Sequence, residues 1–176
     1  MKIILLIFLF LSSIIIAQSE YDTKKWEPVK FLVGKWEGTG TGKFGNSKIE
    51  REYEYLMGGT YIIGKNKSTY EVQEKNPKGE IHDNWDIISY DKVGVKYVIR
   101  QFHAEDITNT FSLDSTKAFN GILEFESESI ENFIDGWKAK EVYKIINENE
   151  FIEIFYLAAP GKEYSEYVRN TFKRIE

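Results

Sequence analysis

Two glutamates, Glu141 and Glu153, are spaced so that their carboxylates could act together. The turn signal Asn147-Glu148-Asn149 between two alternating segments predicts a β-hairpin. Its register pairs Tyr143 with Glu153 and Glu141 with Phe155. Because lysines occupy the other face of the hairpin, the glutamates are expected on the inner face. Paired carboxylates could serve glycoside hydrolysis, although no further signature supports it, or they could hold the polar end of a ligand.

Buried carboxylates need partners, because an unpaired buried charge is very costly. The alternation of Lys48–Met57 places Arg51 on an inner face beside Tyr53 and Tyr55. Arg169 is a second candidate partner if the last strand directs it inward. Two interpretations of this arrangement are open. The groups form a structural ion-pair cluster or are solvated near an opening, or they form a polar spot that orients a small ligand in an apolar cavity.

The two histidines, His82 and His103, give a weaker indication of chemistry. His103 shares a predicted strand face with Gln101, and a neutral imidazole there could donate, accept or bind a metal. Zinc needs three or four ligands, which His82, Asp83, Asp86 and His103 could supply only if neighbouring strands converge. The chain has no cysteine and no G-x-S-x-G motif, so nothing marks a nucleophile. A hydrogen-bonded structural role is the simpler interpretation, and we predict no metal site and no catalytic residues.

The stretch Gly40-Thr41-Gly42-Lys43-Phe44-Gly45 matches the G-x-G-x-x-G pattern of dinucleotide-binding proteins. That pattern works only where a strand leads into a helix, whose N-terminus then faces the phosphates. Here the alternating segment Lys48–Met57 follows, which predicts another strand. We therefore interpret Gly38, Gly40 and Gly42, which recur on one face of the first strand, as positions where that strand coils or where another segment comes close to its backbone, and Gly45 as a turn residue.

Period-two alternation continues through the chain and predicts about ten strands joined by short turns. The predicted strands are Trp36–Gly42, Lys48–Met57, Thr60–Glu71, Ile81–Tyr90, Lys96–Glu105, Ile107–Leu113, Ile122–Ser129, Trp137–Ile146, Phe151–Ala158 and Glu166–Arg174. Short connections favour antiparallel neighbours, and a sheet of this length must curl or close. We predict an all-β fold, a single antiparallel up-and-down barrel preceded by one helical turn over Glu27–Leu32. A two-sheet sandwich is the alternative.

The N-terminal residues have the composition of a secretory signal peptide. Lys2 precedes a short apolar run and Ala17, and that run is shorter than the roughly 20 residues of a membrane-spanning helix. We predict cleavage after residue 17, a flexible segment over 18–26 and one domain over 27–176, with no stable membrane span after cleavage. A retained N-terminal anchor is the alternative. The net charge of −5 argues against a nucleic-acid surface.

The opening of the predicted domain resembles that of the calycin group, which includes lipocalins and fatty-acid-binding proteins. The resemblance rests on Gly34-x-Trp36 after a helical turn, in the segment Phe31–Gly42. The strand order and the final segment, RNTFKRIE, are similar to those of nitrobindin-like barrels. The segments WDIISYD, YVIRQFHAED, SESIEN and LAAPGKEY look closer still to a group of exported bacterial lipocalin-like proteins. The resemblance implies that Trp36 closes one barrel end and that a cavity holds a small, largely apolar ligand.

Two ligand classes follow from the resemblance. Nitrobindins bind haem through a histidine on the last strand and act on nitric oxide or peroxynitrite, and the matching position here is Tyr167. Fatty-acid-binding proteins hold a carboxylate with Arg-x-Tyr on that strand, and Arg169-x-Thr171 is the nearest analogue. Tyrosine can ligate ferric haem, and arginine suits a carboxylate. The departure from histidine makes haem the alternative.

From these observations we expect an exported, non-enzymatic protein, periplasmic or extracellular, that holds a small hydrophobic or amphipathic ligand inside the barrel. The predicted ligand-binding residues are Arg51, Tyr53, Tyr55, Gln101, His103, Phe125, Glu141, Tyr143, Phe155, Tyr167 and Arg169. No cofactor is predicted under this interpretation.

Overall fold

The computed structural model describes residues 23–118 and 121–176. The predicted signal peptide and residues 18–22 lie outside the described residues. Three short 3-10 helices occur, at Thr23–Trp26, Lys30–Leu32 and Ser115–Lys117. Within the described ranges, none of the helices has the length and apolar character needed to cross a membrane.

Ten strands make up most of the described chain. They are β1 (Gly34–Gly42), β2 (Gly45–Leu56), β3 (Tyr61–Tyr70), β4 (Glu80–Asp91), β5 (Lys96–His103), β6 (Thr108–Asp114), β7 (Ile122–Glu131), β8 (Lys138–Asn147), β9 (Glu150–Ala158) and β10 (Ser165–Arg174). Each predicted strand corresponds to one of these to within a few residues.

Every strand pairs antiparallel with its neighbours along the chain, and β1 also pairs with β10, so the sheet closes into a barrel. The predicted all-β, up-and-down barrel is confirmed, and the sandwich is excluded. In the hairpin of β8 and β9, Tyr143 lies opposite Glu153 and Glu141 lies opposite Phe155, as the turn signal predicted. The predicted register of β8 and β9 is therefore correct at Glu141 and Glu153, whose side chains point into the barrel.

Alternation along each strand decides which side chains fill the barrel. On β2, Ile49, Arg51 and Tyr53 are buried, whereas Glu50 and Glu52 are exposed. The interior has two parts. Near one end it is a packed aromatic core, in which the rings of Phe151 and Phe172 stack with centroids 4.7 Å apart, and toward the other end it becomes polar.

The glycines of β1 allow other residues to approach its backbone. A Cβ on Gly38 would lie 2.7 Å from the ring of Phe172, and a Cβ on Gly40 would lie 2.5 Å from both Asn170 Oδ1 and Ser47 Oγ. Gly45 begins β2 with a φ of +96°, so the stretch that resembles a phosphate loop is a β-hairpin. The interpretation of these glycines as sites of close approach is confirmed.

The segment before β1 folds over one end of the barrel and closes it. Trp26, Val29 and Leu32 are at most 1% exposed. Trp26 Nε1 donates to the carbonyl of Gly59 at 2.8 Å, and Trp36 Nε1 donates to the carbonyl of Leu32 at 2.7 Å. We call residues 23–33 the plug. Residues 23–26 were expected in a flexible segment, but burial of the Trp26 ring makes them part of the folded domain.

Arg174, near the end of β10, holds the plug from outside. Its guanidinium lies 4.2 Å from the centre of the Trp36 ring and donates to the carbonyls of Phe31 and Val33 at 2.6 and 2.7 Å. A third bond, at 3.0 Å, reaches the carbonyl of Glu148. The last strand, the first strand and the plug are therefore joined at the closed end.

The register of β10 against β9 shifts between Glu166 and Val168. Beyond this bulge, Phe172 is buried in the core and Val168 and Asn170 line the interior. Arg169 faces outward and its Nε donates to Glu166 at 2.9 Å. The expectation that Arg169 and Thr171 point inward is wrong, because a one-residue shift moves each side chain to the opposite face.

Candidate functional site

A polar cavity of about 200 Å³ lies inside the barrel on the side away from the plug. It is built by side chains of β2, β3, β4, β5, β8, β9 and β10, together with Phe44 of the first hairpin turn. The lining consists of Phe44, Arg51, Asn66, Ser68, Tyr70, His82, Asn84, Gln101, His103, Glu141, Glu153, Phe155, Tyr167, Val168 and Asn170.

The cavity leads into an apolar mouth of about 310 Å³ between the loops at the open end. The two share Phe44, His82, His103, Phe155 and Tyr167. The mouth adds the residues Glu105, Ile107, Asn109, Ile130, Phe133 and Leu157. The rings of Phe44 and Phe155 meet Tyr167 edge to face, with centroids 5.8 and 6.0 Å away. The site therefore combines a polar interior with an aromatic opening.

Arg51 and Glu153 form a buried ion pair at the floor of the cavity. Arg51 Nη1 lies 2.7 Å from Glu153 Oε2, and the two residues are 7% and 4% exposed. Arg51 Nε donates to Asn66 Oδ1 at 2.8 Å, and its guanidinium lies 4.4 Å from the centre of the Phe172 ring. The predicted partnership of Arg51 with one of the two glutamates is confirmed.

A chain of hydrogen bonds continues from Arg51 around the barrel wall. Asn66 Nδ2 donates to Asn84 Oδ1 at 2.7 Å, and Asn84 Nδ2 donates to Asp86 Oδ1 at 3.0 Å. Tyr53 donates its hydroxyl to the other oxygen of Asp86 at 2.8 Å. Burial raises the pKa of Asp86, although Arg51 and the Tyr53 hydroxyl oppose this. Such a network fixes the positions of the groups that surround the cavity.

Glu141 is buried and forms no ion pair with any described residue. Its Oε1 accepts from Gln101 Nε2 at 2.9 Å, and its Oε2 accepts from the Tyr143 hydroxyl at 3.0 Å. Burial, and then the nearby charges of Glu153 and Asp86, raise the pKa of Glu141 to about 8. Glu141 therefore differs from Glu153, which has the arginine.

The two histidines stand in different electrostatic surroundings. His103 accepts a hydrogen bond at Nε2 from Asn109 at 3.1 Å, and burial lowers its pKa. His82 lies at the mouth between Glu80 and Glu105. Burial lowers the pKa of His82, but hydrogen bonds to Glu80 and Glu105 outweigh this and raise it overall. His103 therefore serves as a neutral polar group inside the cavity.

Four of the predicted binding residues belong to the packed interior. Tyr53, Phe125 and Tyr143 are at most 2% exposed, and Tyr55 is half-buried against the core beside Lys30. None of these four lines the cavity or its mouth. Aromatic alternation alone does not show where along a strand the packed core ends.

The other predicted residues lie in the cavity, outside the barrel or at its plugged end. Arg51, Gln101, His103, Glu141, Phe155 and Tyr167 all line the cavity, whereas Arg169 lies outside the barrel. Gly34 and Trp36 lie at the plugged end, and Trp36 is buried there as the barrel-closing role requires. The sequence did not identify Asn66, Asn84, Asn109 and Asn170 as part of the site. In the sequence, the only indication for these four asparagines was that each is a polar residue on the strand face opposite the exposed one.

A shared metal site involving both histidines is not formed. In residues 23–118 and 121–176, no three histidine, aspartate or glutamate side chains gather closely enough to hold a metal ion. Asp86 lies deep inside and bonds Tyr53, while His82 is held at the mouth. Strands β4 and β5 are neighbours and both histidines line the cavity, but the four side chains considered as zinc ligands do not gather around one point.

Solved structures with a similar fold were found. The chain resembles Rv2717c from M. tuberculosis with a TM-score of 0.65 and 15% identity, over 87% of this chain and 98% of that one. It resembles the S-type phycobiliprotein lyase CPES from Guillardia theta with a TM-score of 0.50 and 9% identity, over 90% and 95% of the two chains. These structures are ten-stranded barrels, so the likeness to this chain is one of fold.

The particular family is not defined by sequence. No family model and no curated protein matches the chain. At the identities of the structural neighbours, the likeness concerns the barrel itself.

Stability should fall as pH rises from about 4.5 to about 8, because folded Glu141 holds its proton more tightly than the unfolded chain does. This contribution is fully present below pH 4.5 and is lost as pH rises through 8. Glu141→Gln, which cannot ionise, should reduce this slope. Urea unfolding of both proteins between pH 4.5 and 9 measures the two slopes of stability against pH. His82 titrates in both proteins, so its contribution cancels when one slope is subtracted from the other. Equal slopes would contradict the assignment of the raised pKa to Glu141.

Proposed function

We propose that this protein is an exported, non-enzymatic binding protein that takes a small, partly apolar molecule into its barrel. The observation that carries the proposal is the polar cavity that opens through an aromatic mouth, opposite a plugged end. Small-molecule sites are typically concave and largely apolar, with a few fixed polar groups that orient the ligand. Gln101, His103 and Glu141 would provide these groups, and Phe155 and Tyr167 would contact the apolar part.

Export is proposed from the composition of residues 1–17. The expected product in the producing cell is a chain that begins at Gln18, found in the periplasm or the medium. An intact mass that retains residues 1–17 would contradict it.

A cavity-filling substitution tests the binding site. Val168 lines the cavity, so Val168→Trp should occupy part of it. We expect at least one member of a panel of small lipophilic compounds to bind one-to-one, and Val168→Trp to weaken that binding by about tenfold or more. Native mass spectrometry and calorimetry measure both effects.

The matched control is Arg169→Trp, because Arg169 is adjacent in sequence but faces outward. This variant should bind as the unmodified protein does. Uptake of no compound from a panel of neutral, anionic and cationic members would refute the proposed function.

Haem is the alternative occupant that the family resemblance implies. The lining offers little to a haem propionate, because Arg51, the buried cation of the described cavity, is already paired with Glu153. Tyr167 is the candidate ligand, but its ring is packed between Phe44 and Phe155. Adding haem to the panel tests this directly. A Soret band that appears with the protein and disappears in Tyr167→Phe would overturn our choice.

A further inference from the structure

We propose that the ligand of the cavity is cationic, an amphipathic amine whose ammonium group is bound by Glu141. The inference rests on the proposed function, because it names the chemical class that the same cavity would take. It goes against the expectation, drawn from fatty-acid-binding proteins, that an arginine in the barrel holds a ligand carboxylate.

The first observation is the imbalance of buried charge. Among the described residues, the buried ionisable acids and bases of the interior are Asp86, Glu141 and Glu153 on one side and Arg51 on the other. Charges removed from water are stable only when they are paired and hydrogen-bonded. One guanidinium cannot pair with three carboxylates, so the interior as a whole favours an additional positive charge.

The second observation is that Arg51 is already committed. It forms the ion pair with Glu153, donates to Asn66 and lies against the ring of Phe172. A ligand carboxylate would have to share this guanidinium with Glu153, in an interior that already holds three buried carboxyl groups. Neither the cavity nor the mouth is lined by lysine, and Lys43 lies on the outer side of the mouth near the Tyr167 ring, 5.3 Å from its centre. An anionic ligand therefore finds no unpaired buried cation.

The third observation concerns acceptors. Glu141 faces the cavity with only neutral donors, Gln101 and Tyr143, on its oxygens. Asn170 lines the same cavity, and its Oδ1 is buried without a hydrogen-bond partner in the described structure. An ammonium group has three N–H donors and no acceptor. The Glu141 carboxylate is therefore the acceptor that such a group would need, and Asn170 Oδ1 adds a second unsatisfied acceptor to the cavity wall.

The apolar mouth determines the orientation of such a ligand. Phe44, Phe155 and Tyr167 surround the passage from the cavity to the mouth, and Phe133 and Ile130 extend the apolar surface outward. The charged end would lie inside against Glu141, and the apolar end would lie in the mouth. Glu80 and Glu105, which flank His82, add negative charge at the rim and favour the approach of a cation.

The pH dependence of binding follows from the groups that face Glu141. These are Glu153 of β9, Asp86 of β4 and Arg51 of β2, with Gln101 of β5 and Tyr143 of β8 as neutral neighbours. In the absence of a ligand the pKa of Glu141 is about 8, so at neutral pH a bound ammonium would displace its proton. Affinity for an alkylammonium, with a pKa of about 10.4 or above like that of lysine, should therefore rise from pH 6 to pH 8.

Calorimetry with octylamine, 1-octanol and octanoate tests the inference, because the three share a chain and differ in charge. At pH 8 we expect octylamine to bind most tightly and octanoate least. Glu141→Gln should weaken octylamine binding by about tenfold or more, since it removes one partner of a buried charge pair. The matched control is Glu126→Gln on the exposed face of the adjacent strand β7, which should leave the affinity unchanged.

The other possible results of these titrations would contradict the inference or decide it by a second measurement. Octanoate or 1-octanol binding as tightly as octylamine would overturn the cationic ligand while leaving the binding function intact. Unchanged octylamine affinity in a folded Glu141→Gln protein would also overturn it. If Glu141→Gln does not fold, octylamine titrations of the unmodified protein in buffers of different ionisation enthalpy decide, because our inference requires proton release at pH 7. Binding of none of the three would overturn the inference, and failure of the wider panel would then remove the function as well.

Discussion

Replacing Arg51 with methionine is expected to lower the free energy of unfolding by about 3–5 kcal/mol, because it leaves a buried carboxylate without its cation. Glu153 is 4% exposed and its ion pair with Arg51 is 2.7 Å long. Methionine keeps most of the stem volume, so the change reports mainly on charge. Urea unfolding at pH 7, followed by circular dichroism, measures the effect.

Two further variants separate charge from packing. The double variant Arg51→Met/Glu153→Gln should recover much of the loss, because no uncompensated charge is left at that position. Arg169→Met removes an arginine of the same barrel whose partner, Glu166, lies at the surface, and it should change stability by at most about 1 kcal/mol. An Arg51→Met protein as stable as Arg169→Met would show that the buried pair is not needed for folding.

The second large effect is expected at the plug. Trp36→Ala should lower the free energy of unfolding by about 3–5 kcal/mol, because it leaves a cavity among well-packed aromatic rings. The Trp36 ring meets Phe151 edge to face with centroids 4.7 Å apart, donates to the Leu32 carbonyl and lies beneath the Arg174 guanidinium. Hydrogen exchange should also increase in residues 23–33, since their attachment to the barrel would be weakened.

Trp85→Ala is the matched control for this prediction. Trp85 is 54% exposed on the outside of β4, and its loss should change stability by about 0.5 kcal/mol or less. Equal losses in the two variants would mean that the plug is not held by Trp36.

The sequence was most informative where a turn and an alternating pattern agreed. The turn before Glu150 set the register of β8 and β9, so the positions of Glu141 and Glu153 followed from it. Exposed Glu50 and Glu52 likewise identified Arg51 as inward-facing. In these strands one face is strongly hydrophilic, and a slip by one residue would bury a row of charges.

The site was less predictable where both strand faces have similar polarity. On β4, His82, Asn84 and Asp86 face the interior while Asp83 and Trp85 lie outside, so no hydrophobic alternation marks the inner face. The bulge on β10 reverses the direction of Arg169 relative to the prediction. No glycine or turn motif in the sequence marks the bulge, so it was not predicted. The sequence pattern of one strand cannot reveal a bulge, because a bulge is defined by how that strand pairs with its neighbour.

Among the residues that the structure describes, the plug leaves the barrel with one open end. Under our proposal a guest enters with its polar end first and leaves by the same route in reverse, because residues 23–33 block the other end. The inner groups would then discriminate sharply between head groups, while the outer part of the guest could vary in length by projecting into solvent. Such a protein would sort molecules by what they carry at one end and would tolerate a homologous series at the other.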